Sequence, residues 1–372
     1  MNPRRELVMG RRIGLLTLPL HANFGGIIQA VSLSAALRER GHKVFLLDRR
    51  RPAHHWQRLV MRVLAVLPGQ NIGGFRARSR MLGLHRNFIE SHIDGRSGIC
   101  RSSAEMRRAT ASLKLDAVVV GSDQVWRLAY MHPDAVADYF LGFIADKPTR
   151  RIAYAASFGV GSWDYPDRTE EIAPLLAKFD AVSVRETSGM TICDAVFGRG
   201  DVAHVLDPTL LIEPAFHHRL CSDIPVASCP DGPRTAFFYM LDNPDIRTAA
   251  LSALGPDYAA AELTLNDGHT VTLPQWVSRF RDADFVVTDS FHGTVFAIIF
   301  RKPFLSVVNH GRGADRFTSL LGQLGLEDRL ISQANSIDIS ALIAQSIDYD
   351  DIHRRLDDLR RHSAAFLEKA LA

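Results

Sequence analysis

Between two apolar runs, Phe285–Thr288 and Val295–Phe300, the chain places Asp289, Ser290, Phe291, His292, Gly293 and Thr294. The first run reads as a buried strand, Ser290 is a helix-capping residue type, and His292 to Thr294 would open the helix that follows. First-turn amides lack partners within the helix and the dipole there is positive, so such a turn attracts phosphate or carboxylate. The same dipole favours neutral imidazole, while a bound anion would push the other way and let His292 carry a proton near neutral pH. An anionic substrate meeting a proton donor is the chemistry this spacing offers, with Asp289 as a candidate to orient the ring. The plainer alternative is a histidine held by a local hydrogen bond, with Asp289 and Ser290 as turn and cap residues.

Four further segments, LDAVVVGSDQVW, RIAYAASFG, FDAVSVRE and AHVLDPTLL, each read as an apolar, β-rich run that ends in polar or glycine residues. Ligands of open α/β sheets collect at such carboxyl ends. The endings nominate Ser122, Asp123, Ser157, Arg185 and Asp207 as cleft residues.

These residues need elements to position them, and the pattern supplies a strand–helix rhythm. RIGLLTLP is followed by the loop HANFGG, a helix with Ile28, Val31 and Ala35 on one face and Gly41 at its end, and then KVFLLD. That unit builds a parallel sheet covered on both faces. The rhythm returns after a proline-, cysteine- and serine-rich stretch at 212–233, with TAFFYML, AAELTL, DFVVTDS and FLSVVN as strands and helices near Leu273–Arg281 and His292–Phe300. The expected fold class is α/β, two Rossmann-like domains facing across a cleft, divided as 1–212 and 213–372, with a charged amphipathic helix from Asp351 to the end. Between about 50 and 110 the first domain carries a basic helical insertion. Its HWQRLVMRVLAVL places Trp56, Leu59, Val60, Val63, Leu64 and Leu67 at helical spacing with Arg58 and Arg62 on the flank. Ordinary packing with solvated arginines is the favoured account; a basic surface for anionic lipid or a pyrophosphate-linked substrate is the sharper one.

Bulk properties narrow the function classes. The 372 residues carry a formal net charge of +3 without long Lys/Arg tracts, which points away from nucleic acid as a partner. The four cysteines, Cys100, Cys193, Cys221 and Cys229, form no C-x-x-C pair and no zinc-ligand spacing, so no metal site is expected and free thiols in a reducing, cytoplasmic setting are. The run Ile13–Leu20 contains Thr17 and Pro19 and reads as a first strand rather than a signal peptide, and no segment approaches a membrane span.

Taken in order, GSDQVW, SVRE, LDPTLL and above all TDSFHGTVFAIIFRKPF resemble the polysaccharide pyruvyl transferase family, from the NFGGIIQA loop to GADRFTSLLGQLGL. The resemblance implies a fold like that of the B-type glycosyltransferases. It also implies transfer of pyruvate from phosphoenolpyruvate, with no cofactor, to two hydroxyls of one sugar in an exopolysaccharide or its lipid-linked precursor. Work at the inner membrane face, with peripheral membrane association, would follow; the oligomeric state is not set by the sequence. The family's histidine maps onto His292 and its strand-end arginine onto Arg185, both implied to touch phosphoenolpyruvate within the turn Ser290–Thr294. Many members have a basic residue where Ser290 stands, so that cationic contact is either missing here or supplied from elsewhere, by Arg312 or Arg316. Members often have an acidic residue where Gly26 stands, which leaves Asn23 and Gly25 as acceptor-side candidates beside Ser122. Asp123 is the candidate base for a sugar hydroxyl, and Trp126 a flat surface for the sugar ring, against a turn aspartate and a core tryptophan. A nucleotide-sugar glycosyltransferase and a non-catalytic sugar-binding relative are the rival readings.

Overall fold

The structure is a computed structural model that describes residues 10–20, 23–52, 72–145, 148–227, 232–240, 242–263, 271–308, 313–332 and 338–372. The segment HWQRLVMRVLAVL, with Arg58 and Arg62, lies outside the described residues, as do Cys229 and Arg312. Among the described residues the strands form two sheets, and every pairing in both is parallel.

The first sheet contains β1 (Arg12–Leu16), β2 (Lys43–Leu47), β3 (Gly95–Arg96), β4 (Ala117–Val120), β5 (Arg150–Ala156), β6 (Ala181–Val184) and β7 (Ala203–His204), in the order β3-β2-β1-β4-β5-β6-β7. This is the doubly wound order of dinucleotide-binding folds, with its switch point between β1 and β4. The second sheet contains β8 (Arg234–Tyr239), β9 (Tyr258–Leu263), β10 (Phe285–Thr288), β11 (Phe304–Val307) and β12 (Leu330–Ile331), ordered β12-β11-β10-β8-β9. Its switch point falls between β8 and β10. Central strands such as AVVV of β4 and FVVT of β10 are buried at every residue, as strands covered on both faces must be.

Two expectations are corrected. AHVLDPTLL yields only the short edge strand β7, because Asp207 caps a helical turn, Pro208–Leu211, with its side chain on the Thr209 amide at 2.9 Å. The helix Phe24–Glu39 is buried on nearly all sides rather than on the Ile28–Val31 face alone. It lies at the junction of the lobes, where Phe24 stacks on Trp276 of the helix Leu273–Asp282 at 5.2 Å. One apolar cluster consequently runs from Ile13 and Ile27 through Trp276 to Phe296 and Leu321. The helix Tyr349–Leu371 returns from the second lobe to the first: His353 bonds the Ile298 carbonyl at 3.1 Å, and Arg360 donates to the Leu210 carbonyl at 2.8 Å. No helix among the described residues is long and apolar enough to cross a membrane.

Candidate active site

The carboxyl ends of β4, β5, β6 and β10 and the start of the Phe24–Glu39 helix converge where the two sheets face one another. Ser290 occupies the N-cap of the helix Phe291–Ile299, although its hydroxyl makes no capping bond; its carbonyl accepts from the Thr294 amide at 3.0 Å. Thr288 supplies the missing anchor, its hydroxyl oxygen accepting from the Ser290 amide at 3.1 Å. Gly293 fits because a side chain there would overlap the Thr288 hydroxyl. Thr294 is buried and shares a 2.6 Å hydroxyl contact with Ser306 on β11, so it holds the turn from below.

His292 is 6 % exposed and points at the first lobe. Its Nε2 lies 3.9 Å from Asp207 Oδ1 and makes no hydrogen bond among the described residues. Burial pushes the ring pKa down to about 4; Asp207 and Asp123 pull up, and Arg185 and Arg316 push further down. The resting ring is neutral. Gly25 packs flat against it, and a Cβ at that position would collide with the ring Nδ1.

Arg185, at the end of β6, is held as a fork between two carboxylates: Nη1 donates to Asp207 Oδ2 at 2.6 Å, and Nη2 to Asp123 Oδ1 at 3.1 Å. Ser122 is buried, its one hydroxyl proton lying within reach of both Asp207 Oδ2 at 3.1 Å and the Ala155 carbonyl at 2.9 Å. Asp123 sits at φ 71°, in the left-handed region that short polar side chains tolerate best, and this turn swings its carboxylate towards Arg185. Burial, the largest single influence, raises the Asp123 and Asp207 pKa values, but the charge of Arg185 together with the smaller surrounding contributions outweighs it and holds both below the usual carboxylate range. Burial opposes the charge on Arg185 too, yet Asp207, Asp123 and Glu186 keep it more firmly protonated than a free arginine.

Phe291 lies between two guanidiniums, Arg185 at 5.0 Å and Arg316 at 5.3 Å from its ring centre. Arg316, on the helix Asp315–Leu324, donates from Nε to the Gly313 carbonyl at 3.3 Å. Burial first, then Arg185, lowers its pKa to about 10, which leaves it a cation at neutral pH. Arg316 thus places a cation beside the turn that carries Ser290, while Arg312 lies outside the described residues.

Asp289, Trp126 and Ser157 are placed differently from expectation. Asp289 does not orient His292; its Oδ2 accepts from the Asp242 amide at 2.7 Å and from Asn243 at 3.3 Å, tying the end of β10 to the loop after β8. Trp126 is fully buried, stacked on Phe140 at 5.3 Å with its indole N–H on the Tyr139 carbonyl, so no sugar can lie on it. Asn23 is exposed at the N-cap of the Phe24–Glu39 helix, where its Oδ1 accepts from the Gly26 amide at 3.2 Å. Ser157 stays inside the wall, its amide on the Asp123 carbonyl at 3.1 Å.

Sequence reasoning passed over two residues. Gln29, buried in an otherwise apolar helix, accepts from the Ser122 amide at 3.0 Å and donates to Thr17 at 3.0 Å, fixing the loop that carries Asp123. A lone glutamine in GGIIQAVSLSAA was the available signal. Glu186 is fully buried; its Oε1 accepts from the Phe158 amide at 2.9 Å, and its Oε2 stands 4.0 Å from Arg185 Nε. Burial raises its pKa against the pull of Arg185.

The two parallel sheets facing one another make a GT-B-type fold, and solved structures agree. A trehalose-phosphate synthase (UDP-forming) from Burkholderia vietnamiensis superposes with TM-score 0.53 at 11 % identity, covering 97 % of this chain and 98 % of its own. The S. aureus MnaA–UDP complex gives TM-score 0.51 at 11 % identity, covering 93 % and 90 %. At such identity the likeness concerns the fold alone. No curated protein matches the chain in sequence. The family model described as polysaccharide pyruvyl transferase matches residues 23–311, and the chain belongs to that family of transferases.

Proposed function

We propose that the protein moves pyruvate from phosphoenolpyruvate onto two hydroxyls of one sugar residue, forming a cyclic ketal on a polysaccharide or its precursor and releasing phosphate. The observation that carries this reading is the meeting of the His292 turn with Arg185 and Arg316 around Phe291. Phosphoenolpyruvate carries a phosphate and a carboxylate, and a helix start with two guanidiniums suits both.

The resting cluster is self-neutralised, since Arg185 already holds two carboxylates. Asp207 is the firmer of these, at 2.6 Å and anchored to Ser122 and Thr209; Asp123 is the looser, at 3.1 Å on a left-handed turn. In this reading the carboxylate of the donor replaces Asp123 on Arg185. Freed of its cation, Asp123 regains basicity beside the acceptor. The incoming charge also raises the pKa of His292 from its resting value near 4, so the ring takes up a proton as the donor arrives.

Proton delivery from His292 to the methylene carbon leaves an oxocarbenium-like centre at the adjacent carbon. The first sugar hydroxyl attacks it and gives its proton to Asp123. Breaking the carbon–oxygen bond to phosphate restores the cationic centre, the second hydroxyl closes the ring, and its proton leaves with phosphate. The two hydroxyl protons end on Asp123 and on phosphate and carbon gains the proton His292 took up on donor binding; Asp123 then releases its proton to solvent as product leaves, which restores both groups and balances the turnover.

The test is phosphate release from phosphoenolpyruvate with saccharide precursors as acceptors. His292→Gln is expected to stop release while circular dichroism stays unchanged; undiminished release would end the assignment. Stabilisation by uridine diphosphate with none by phosphoenolpyruvate would instead favour a nucleotide-sugar transferase.

A further inference from the structure

Beside the site, in the first lobe, a cavity of about 220 Å³ opens between the end of β2, β3 and the helix Ile72–His92. Its walls include Arg50, Arg86, Arg96, Asp48 and His85. Arg50 grips Asp48 with two bonds of 2.7 and 2.8 Å, which cancels the one carboxylate facing the cavity. Arg96 meets Glu90 at 3.3 Å, but both side chains are more than 40 % exposed and the pairing is weak. Arg86 is exposed. Three guanidiniums from three different elements thus surround a space below the roughly 300–1,000 Å³ of a drug-sized site. A small oxyanion fits such a space; a sugar chain does not. A carboxylate presents its two oxygens in one plane, whereas tetrahedral phosphate presents oxygens in several directions, as guanidiniums approaching from three elements require.

The cavity is coupled to the transfer site by packing. His85 meets the Phe24 ring edge-on at 5.5 Å, and Phe24 precedes Gly25, which abuts the His292 ring. We propose that Arg50, Arg86 and Arg96 form a subsite for a phosphate group carried by the acceptor, anchoring it while its hydroxyls reach His292. This rests on the transfer reading above, because it assigns the phosphate to the acceptor. The donor's own phosphate belongs to the Arg185–Arg316 side.

The experiment is calorimetric titration of the full chain with inorganic pyrophosphate while phosphoenolpyruvate is saturating, in the natural protein and in Arg86→Ala/Arg96→Ala. Both replaced side chains reach solvent, so the fold is expected to survive, and circular dichroism checks it. The expected result is saturable pyrophosphate binding weakened at least about tenfold in the double variant, with the same rise in half-saturating concentration for a phosphate-bearing acceptor. Equal binding in both proteins, or pyrophosphate displaced by phosphoenolpyruvate in both, overturns the subsite. Sedimentation with phosphatidylglycerol vesicles separates the sources. Retention that needs the two arginines, without pyrophosphate binding, gives the cavity to a bilayer headgroup and overturns an acceptor phosphate. Arginine-dependent pyrophosphate binding without any phosphoenolpyruvate turnover would leave the anion site standing and remove the transfer reading alone.

Discussion

His292 is neutral at rest because it is buried, and this has a consequence for stability. An exposed histidine in the unfolded chain binds its proton near pH 6.5, whereas the folded ring waits until about pH 4. Between those values the unfolded state holds more protons, so the ring's contribution is full above pH 6.5 and is lost as the pH falls towards 4, at up to about 1.4 kcal/mol per pH unit. His292→Gln is expected to flatten the fall by about one proton. His217, also shifted to about 4 by burial, keeps its own slope in both proteins. Urea midpoints at pH 7 and pH 5 measure this, and parallel losses in the two proteins would contradict a buried neutral ring. For Asp123, displacement by the donor predicts a split effect. Asp123→Asn should lower kcat by about 10²–10⁴ without raising KM for phosphoenolpyruvate. A raised KM with kcat intact would mean that Asp123 only positions Arg185. At this scale the anchor residues were legible because strand ends and a helix start mark where side chains gather. The partners of Asp289 and Trp126 were not, because hydrogen bonds to backbone groups remote in sequence leave no trace in local pattern.

Among elements, the Phe24–Glu39 helix is the one on which the site depends most. It brings Gly25 against His292 of the other lobe and Gln29 against Ser122 within its own, so a glycine sets how closely the two lobes approach here while the glutamine holds the Asp123 loop. Gly25→Ala improves helix propensity locally, yet its Cβ must push the imidazole away. Such a misplacement is expected to cost on the order of 10² in turnover while the helix content is retained. Normal kinetics in that variant would show that the ring has room to move. The strand–helix alternation was readable because parallel strands buried on both faces leave continuous apolar runs. The all-round burial of this helix was not, since amphipathic pattern reports one partner surface and the second comes from the other lobe.

For the whole molecule, the helix Tyr349–Leu371 ties the lobes together through bonds to Ile298 on one side and to Leu206 and Leu210 on the other. Leu356, on the inner face of this helix, is fully buried. Leu356→Ala is expected to cost about 2–5 kcal/mol, seen as a lowered urea midpoint; a change under about 0.5 kcal/mol would show that the helix is only loosely docked. Sequence pattern marked this segment as an amphipathic helix but not its destination, because a polar-faced helix with one apolar stripe can dock on either lobe. In the proposed transfer, one donor bearing two anionic groups is gripped from both lobes at once. Titration calorimetry of phosphoenolpyruvate into the natural protein, Arg185→Lys and Arg316→Lys tests it most directly. The account predicts one binding event, weakened at least about tenfold by either replacement, since an ammonium keeps the charge but loses the planar fork. Undiminished affinity in both variants would contradict it.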